Sequence, residues 1–402
     1  MAGLALIRET DVTHGPTLRV LMVMGAYHPE MTGGANQCRT LARALRGHAR
    51  IAVLSVSNDA SLASEDVVDD VQVVRVIVDP RRRASKARGA FRLVWTFVRM
   101  CRAADIVHLH GYTRKLLVLV PLAKLLGKPV LLKTGGVGQD DPITLRERGV
   151  PFRLAYAGVN GFIASSPAVE QSLLKAGVPA HHIERIANGV ELDRFSPATV
   201  DERRRLRAEL ELPQDGALIL CVGMMAAVKR PDLLFEAWAT LGCLKDRSAL
   251  VFCTTRSGFH EIDSGISDRI RARAAQLGCS SRVMFVEPTF NIEKFYRAVD
   301  MYVLPSAQEG LPNALLEAMA SGLPCVASHL PGITDTVIES GKNGMLIESG
   351  DVECLASALR VLLCDSDRAE ELGRQARATI ARTYGIDRTA SAHVALYHRV
   401  LA

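Results

Sequence analysis

Short runs that are apolar throughout alternate with stretches of helical length over most of this chain, and the alternation starts twice. The first series runs Arg19 to Met24, a helix from about Gly34 to Arg46, then Ile51 to Val56, Val71 to Val78, Ile106 to His110, Val130 to Lys133 and Phe162 to Ala164. The second runs Leu218 to Val222, a helix Pro231 to Leu241, Ala249 to Cys253, a helix near Asp268 to Leu277, Val283 to Val286, Met301 to Leu304, Cys325 to Ala327 and Met345 to Ile347. A strand apolar on both faces belongs in a parallel sheet covered by helices on both sides. The pattern therefore predicts an α/β chain of two doubly wound domains, and 402 residues exceed what one ordinary core accommodates. Ligands of such sheets bind beyond the carboxyl ends of the strands, which places an expected site between the domains.

The boundaries follow from composition. Residues 1–17 read as a mobile polar lead-in, 18–190 as the first domain and 213–385 as the second. Between them the turn residues Asn188-Gly189 and Ser196-Pro197, followed by a charged helix from Asp201 to Glu211, mark 191–212 as a linker. Two helices are expected to close the chain, with 386–402 crossing back to the first domain.

A hydrophobic share of 48% and a charged share of 23% are those of a globular protein. The net charge of +6 comes with only 5% aromatic residues and no long basic stripe, so nucleic acid is not an expected partner. Nine scattered cysteines without a CxxC pair suit reduced thiols, and no metal-ligand spacing occurs; His181-His182 are adjacent in a loop. Arg8 and Glu9 interrupt the first apolar stretch, so no signal peptide is expected, and no apolar run is long enough to span a bilayer. The expected location is cytoplasmic.

One stretch concentrates the chemistry. After the apolar run Met301 to Leu304 comes a Gly/Pro loop, Pro305 to Leu311, and Pro312 is expected as the first residue of a helix ending near Gly322. The first N–H groups of a helix have no internal partner and, with the helix dipole, favour an anion such as phosphate. Glu309 precedes that helix, and Asn313 and Glu317 share one of its faces four residues apart. Read alone, the two carboxylates are either partners for sugar hydroxyls or plain solvated residues.

Four patterns in order resemble the group 1 family of retaining nucleotide-sugar glycosyltransferases. They are Gly33-Gly34 after the first strand, Asn188-Gly189-Val190 leading to Phe195-Ser196-Pro197, Gly223 with Lys229, and Glu309-Gly310-Leu311-Pro312-Asn313 continuing to Glu317 and Gly322. The resemblance covers about residues 18 to 385 and implies the GT-B fold, two facing Rossmann-like domains with an interdomain cleft, the first on the acceptor side and the second binding the nucleotide sugar. It implies a nucleoside-diphosphate sugar as donor, an acceptor hydroxyl on a glycan, glycolipid or small molecule, and no cofactor or metal. By the same resemblance Lys229 and Glu309 are catalytic, with Glu309 near the donor sugar and Glu317 on the ribose. Gly33, Gly34, Gly223, Gly310, Leu311, Pro312, Asn313 and Ala314 line the substrates.

The chain departs from the family pattern at several points. Met224 and Met225 follow Gly223 where family members commonly place an arginine, and Arg230, beside Lys229, is the candidate to compensate. The stretch after the fifth strand, Lys133-Thr134-Gly135-Gly136, lacks the histidine many members carry there, which leaves Thr134, Asp140, Asp141 and His110 as candidates. His108 shares the strand face of His110. Glu287 stands where the family usually has glycine. Residues 81–102 carry no acidic residue, and their helical part, with Phe91, Trp95 and Phe97, suits either an anionic membrane surface or packing on the sheet. Two other functions fit the fold: a nucleotide-sugar 2-epimerase, and a weakly active binding or partner subunit.

Overall fold

The computed structural model describes residues 18–30, 32–111, 114–136, 143, 149–254 and 264–402. Asp140 and Asp141 lie outside these residues.

The first sheet has eight strands: β1 (Arg19–Val23), β2 (Arg50–Ser57), β3 (Glu65–Val68), β4 (Val71–Ile77), β5 (Ile106–His110), β6 (Val130–Lys133), β7 (Gly161–Ala164) and β8 (Ile183–Arg185). Their order is β3-β4-β2-β1-β5-β6-β7-β8, parallel except for β3. The second sheet has six parallel strands: β9 (Ala217–Gly223), β10 (Ser248–Thr254), β11 (Val283–Val286), β12 (Met301–Leu304), β13 (Cys325–Ser328) and β14 (Met345–Ile347), in the order β11-β10-β9-β12-β13-β14. Strand order reverses between β1 and β5 in one sheet and between β9 and β12 in the other. Each reversal opens a crevice at the carboxyl ends of the strands.

β3 and β8 depart from the expected pattern. Both are edge strands, and an edge strand need not be apolar on both faces. β3 reads Glu-Asp-Val-Val and has one buried residue, while β8 reads Ile-Glu-Arg and has none.

The segment 191–212 is not a free linker. Phe195, Leu206 and Leu212 join the core of the second domain, and Arg207 donates to the Ala298 carbonyl. Its helix, Val200–Glu209, starts with a capping box between Thr199 and Glu202, which satisfies two otherwise orphaned donors. Arg377 donates to the carbonyls of Phe195 (2.6 Å) and Ala320 (2.7 Å), tying this segment to the end of the helix Asn313–Ala320.

Three helices, not two, close the chain: Val352–Cys364, Ser366–Thr383 and Ile386–Leu401. The last packs on the first domain, where Ala390, Leu396 and Tyr397 share a core with Val20, Met22 and Leu41. The chain thus passes between the domains twice, and the two passages touch. Val190 N–H donates to the Tyr384 carbonyl (2.9 Å) and Ile386 N–H to the Val190 carbonyl (3.0 Å). A Cβ on Gly189 would stand 2.8 Å from the Ile386 Cα, so glycine is required where the passages cross.

Candidate active site

The cleft between the sheets, about 290 Å³, is lined from the first domain by Gly33, Gly34, His110, Lys133, Thr134, Ser165 and Asn188. From the second it is lined by Gly223, Met224, Lys229, the segment Glu309 to Ala314, and Glu317. These residues sit at the carboxyl ends of strands or in the loops and helix starts that follow them, and that is why residues so distant in sequence meet.

On the second-domain side, Gly223 ends β9 and Lys229 ends a short 3-10 turn, Ala227–Lys229. Lys229 Nζ donates to Glu309 Oε1 at 2.7 Å, with the Glu309 side chain only 9% exposed. Pro312 is the N-cap of the helix Asn313–Ala320, not its first residue. Its backbone is extended, and its carbonyl accepts from the N–H groups of Leu315 and Leu316 at 3.1 and 3.3 Å. The N–H groups of Asn313 and Ala314 are therefore those the helix leaves outside its own ladder.

Glu317 lies one turn further on. It accepts from the Tyr296 hydroxyl at 3.0 Å, and burial pushes its carboxyl up to about 7 against the pull of that hydrogen bond and of Arg194. Arg194 itself is held by Glu293 at 2.8 Å.

The first domain meets this machinery directly. The helix Gly33–Ala44 is capped by Thr32, whose Oγ1 accepts from Ala35 N–H. Asn313 Nδ2 donates to the Gly33 carbonyl at 2.9 Å. Asn188 Nδ2 donates to Asn313 Oδ1 (2.8 Å) and the Leu311 carbonyl (3.1 Å), while Asn188 Oδ1 accepts from the buried Lys133 Nζ (2.8 Å). This chain of amides joins three of the four sequence patterns. The Gly135-Gly136 turn lies against Gly310 so closely that a Cβ on Gly310 would stand 2.5 Å from the Gly135 carbonyl oxygen.

Three candidates from sequence fall elsewhere or act otherwise. Arg230 does not line the cleft: it has a left-handed backbone that turns it towards Asp232, 3.3 Å away. Thr134 lines the cleft, but its hydroxyl is turned to the Ile163 carbonyl. His110 lines it and packs against His108, with ring centroids 4.1 Å apart and the rings tilted by 31°. Sequence reasoning gave no role to Lys133, Ser165, Arg194 or Tyr296. Lys133 and Ser165 stand at strand ends, which is the signal that would have flagged them. Arg194 and Tyr296 come from the interdomain segment and a helix, and only the packing brings them to Glu317.

Two facing parallel-sheet domains with their polar residues gathered at the strand ends define a GT-B protein, and solved structures share this fold. HepE from Anabaena, in complex with UDP and glucose, matches with a TM-score of 0.77 at 18% identity over 95% of this chain and 100% of that one. Sucrose-phosphate synthase from Thermosynechococcus elongatus matches at 0.76 and 20% identity, covering 95% and 99%. The model of the family described as Glycosyl transferases group 1 matches residues 202–379, and that of Glycosyltransferase Family 4 matches residues 31–194. The chain is a glycosyltransferase whose second domain is of the group 1 type and whose first is of the family 4 type. Among its relatives, a D-inositol 3-phosphate glycosyltransferase of Salinispora tropica is 28% identical over 76% of this chain and 66% of its own length. One of Xylanimonas cellulosilytica is 29% identical over 73% of this chain and 71% of its own.

Proposed function

We propose that this chain transfers a sugar from a nucleoside diphosphate to an acceptor hydroxyl, with retention at the anomeric carbon. The observation that carries the reading is the convergence of Lys229, Glu309 and the start of the helix Asn313–Ala320 at one end of the cleft, with Glu317 a turn away. The N–H groups of Gly310, Leu311, Asn313 and Ala314 and the Lys229 ammonium take the diphosphate, and Glu309 orients the donor sugar. The Glu317 carboxylate accepts from the ribose hydroxyls.

In the transfer, the acceptor oxygen bonds to the anomeric carbon on the face the diphosphate leaves, and the departing phosphate oxygen takes the acceptor proton. The protein positions the reactants and stabilises the departing charge, which requires no metal. The HepE complex with UDP supports a uridine donor, and the relatives' name supports a small phosphorylated polyol as acceptor, beside the glycan and glycolipid alternatives.

The helix Arg83–Ala103 supports peripheral contact with an anionic membrane. Its Phe97 is buried on the sheet, but Phe91 and Trp95 are 72% and 57% exposed among Lys86, Arg88 and Arg92, and the helix has no acidic residue. Among the described residues no helix is long and apolar enough to cross a membrane.

Incubation with UDP, GDP and ADP sugars plus an acceptor tests the reading. Sugar transfer supports it, C2 inversion replaces it with an epimerase, and binding without turnover replaces it with a partner subunit.

A further inference from the structure

The donor contacts leave unused a group of polar side chains on the first-domain side of the cleft, Lys133 and Ser165 buried and His110 half-buried. His110 and Lys133 are register partners on β5 and β6, so their side chains leave the sheet on the same face. Ser165 follows β7, the next strand. All three line the cleft. Lys133 is 6% exposed, and among the described residues its ammonium has one acceptor, Asn188 Oδ1, and no carboxylate in ion-pair range. His110 Nε2 and Ser165 Oγ are buried without a hydrogen-bond partner among the described residues.

An ammonium removed from water without a counter-charge is costly, and buried donors are normally satisfied. Lys133 has three N–H bonds and gives one to Asn188. A serine hydroxyl donates one hydrogen bond, and a neutral histidine donates from one ring nitrogen. Burial lowers the Lys133 ammonium to about 8, so it still carries its charge at neutral pH. Burial also keeps His110 neutral.

We propose that Lys133, His110 and Ser165 form an anion subsite that takes a phosphoryl group carried by the acceptor. That the phosphoryl group belongs to an acceptor rests on the glycosyl-transfer reading. The same chemistry could come from the donor diphosphate, but the cation and helix start assigned to that group stand on the other domain, at Lys229 and Asn313. Lys133 rises from the first domain, across the cleft from those groups.

The test is calorimetric titration of inorganic phosphate into the full chain saturated with UDP, for wild type, Lys133→Met and Ser165→Ala. One phosphate is expected to bind beside UDP. Its Kd should rise at least tenfold in Lys133→Met and about threefold in Ser165→Ala, while the Kd of UDP changes less than twofold. Phosphate that competes with UDP, with UDP weakened in Lys133→Met, assigns the subsite to the donor and overturns the proposal. So does phosphate that binds all three proteins equally, or that binds none, because Lys133 then only holds Asn188. If Lys133→Met does not fold, Ser165→Ala decides by the same criterion. A chain that binds no UDP defeats only the choice of uridine, and titration without nucleotide still reads the subsite.

Discussion

Lys229 Nζ lies 2.7 Å from Glu309 Oε1, so the cation assigned to the diphosphate and the carboxylate assigned to the sugar hold each other in place. Binding a diphosphate sets the two anions in competition for one lysine, with Met224 where a second cation commonly stands. Lys229→Ala is expected to lower kcat/KM by about a hundredfold or more, the usual scale for a donor aimed at a developing charge. A cycle with Glu309→Gln should be far from additive, since the residues touch. Wild-type kcat/KM in Lys229→Ala would sink the assignment.

Gly310 tests how tightly the domains must meet. The Cβ of Gly310→Ala would stand 2.5 Å from the Gly135 carbonyl oxygen and 2.8 Å from the Gly136 Cα, both backbone atoms that cannot swing aside. The domains must part slightly. Small-angle scattering should show a larger radius of gyration, and turnover should fall about tenfold, with a stability loss of about 1–3 kcal/mol typical of overpacking. A variant with unchanged scattering and turnover contradicts the close approach.

Glu317 makes a pH prediction of definite sign. Its carboxyl is raised to about 7 by burial, from an ordinary 4.5, so the folded protein holds the proton more tightly than the unfolded chain does. The stabilisation this gives is complete below about pH 4.5 and fades as pH rises through about 7. Between pH 5 and 8 the Tm of wild type should therefore fall relative to that of Glu317→Gln. UDP affinity should move the opposite way in wild type if the Glu317 carboxylate takes the ribose hydroxyls as proposed, and stay flat in the variant. A parallel pH profile in both proteins would exclude Glu317 from the titration.

The membrane reading is checked by flotation with phosphatidylglycerol-rich vesicles at low salt. Wild type should float with these and not with phosphatidylcholine vesicles, and Phe91→Ser with Trp95→Ser should abolish flotation. Losing the two exposed rings leaves the sheet-facing Phe97 untouched, so folding should be unaffected. Failure of wild type to float removes the reading.

The parallel sheets were legible because β1, β9, β10 and β12 carry apolar runs that announce burial on both faces. The charged edge strand β3 was not legible, since its residues satisfy an edge and not a core. At the site, Gly33, Lys229, Glu309 and Glu317 could be picked out as residue types in an ordered pattern. The Asn188 bridge to Leu311 and Asn313 could not, because a hydrogen bond across 123 or 125 residues leaves no periodic trace. Arg230 misled for the opposite reason. Adjacency to Lys229 in sequence says nothing about direction where the backbone turns left-handed.

The paired passages at Val190 and Gly385 bear on how the cleft can open. A single tether would let one domain swing about any axis, whereas two tethers bonded side by side act like the barrel of a door hinge and leave one easy rotation. The last sixteen-residue helix, though it follows the second domain in sequence, travels with the first. A tag on the carboxyl terminus therefore reports the motion of the leaf that carries Gly33 and Lys133, and a probe pair placed there and on the helix Ser366–Thr383 would read the opening angle directly.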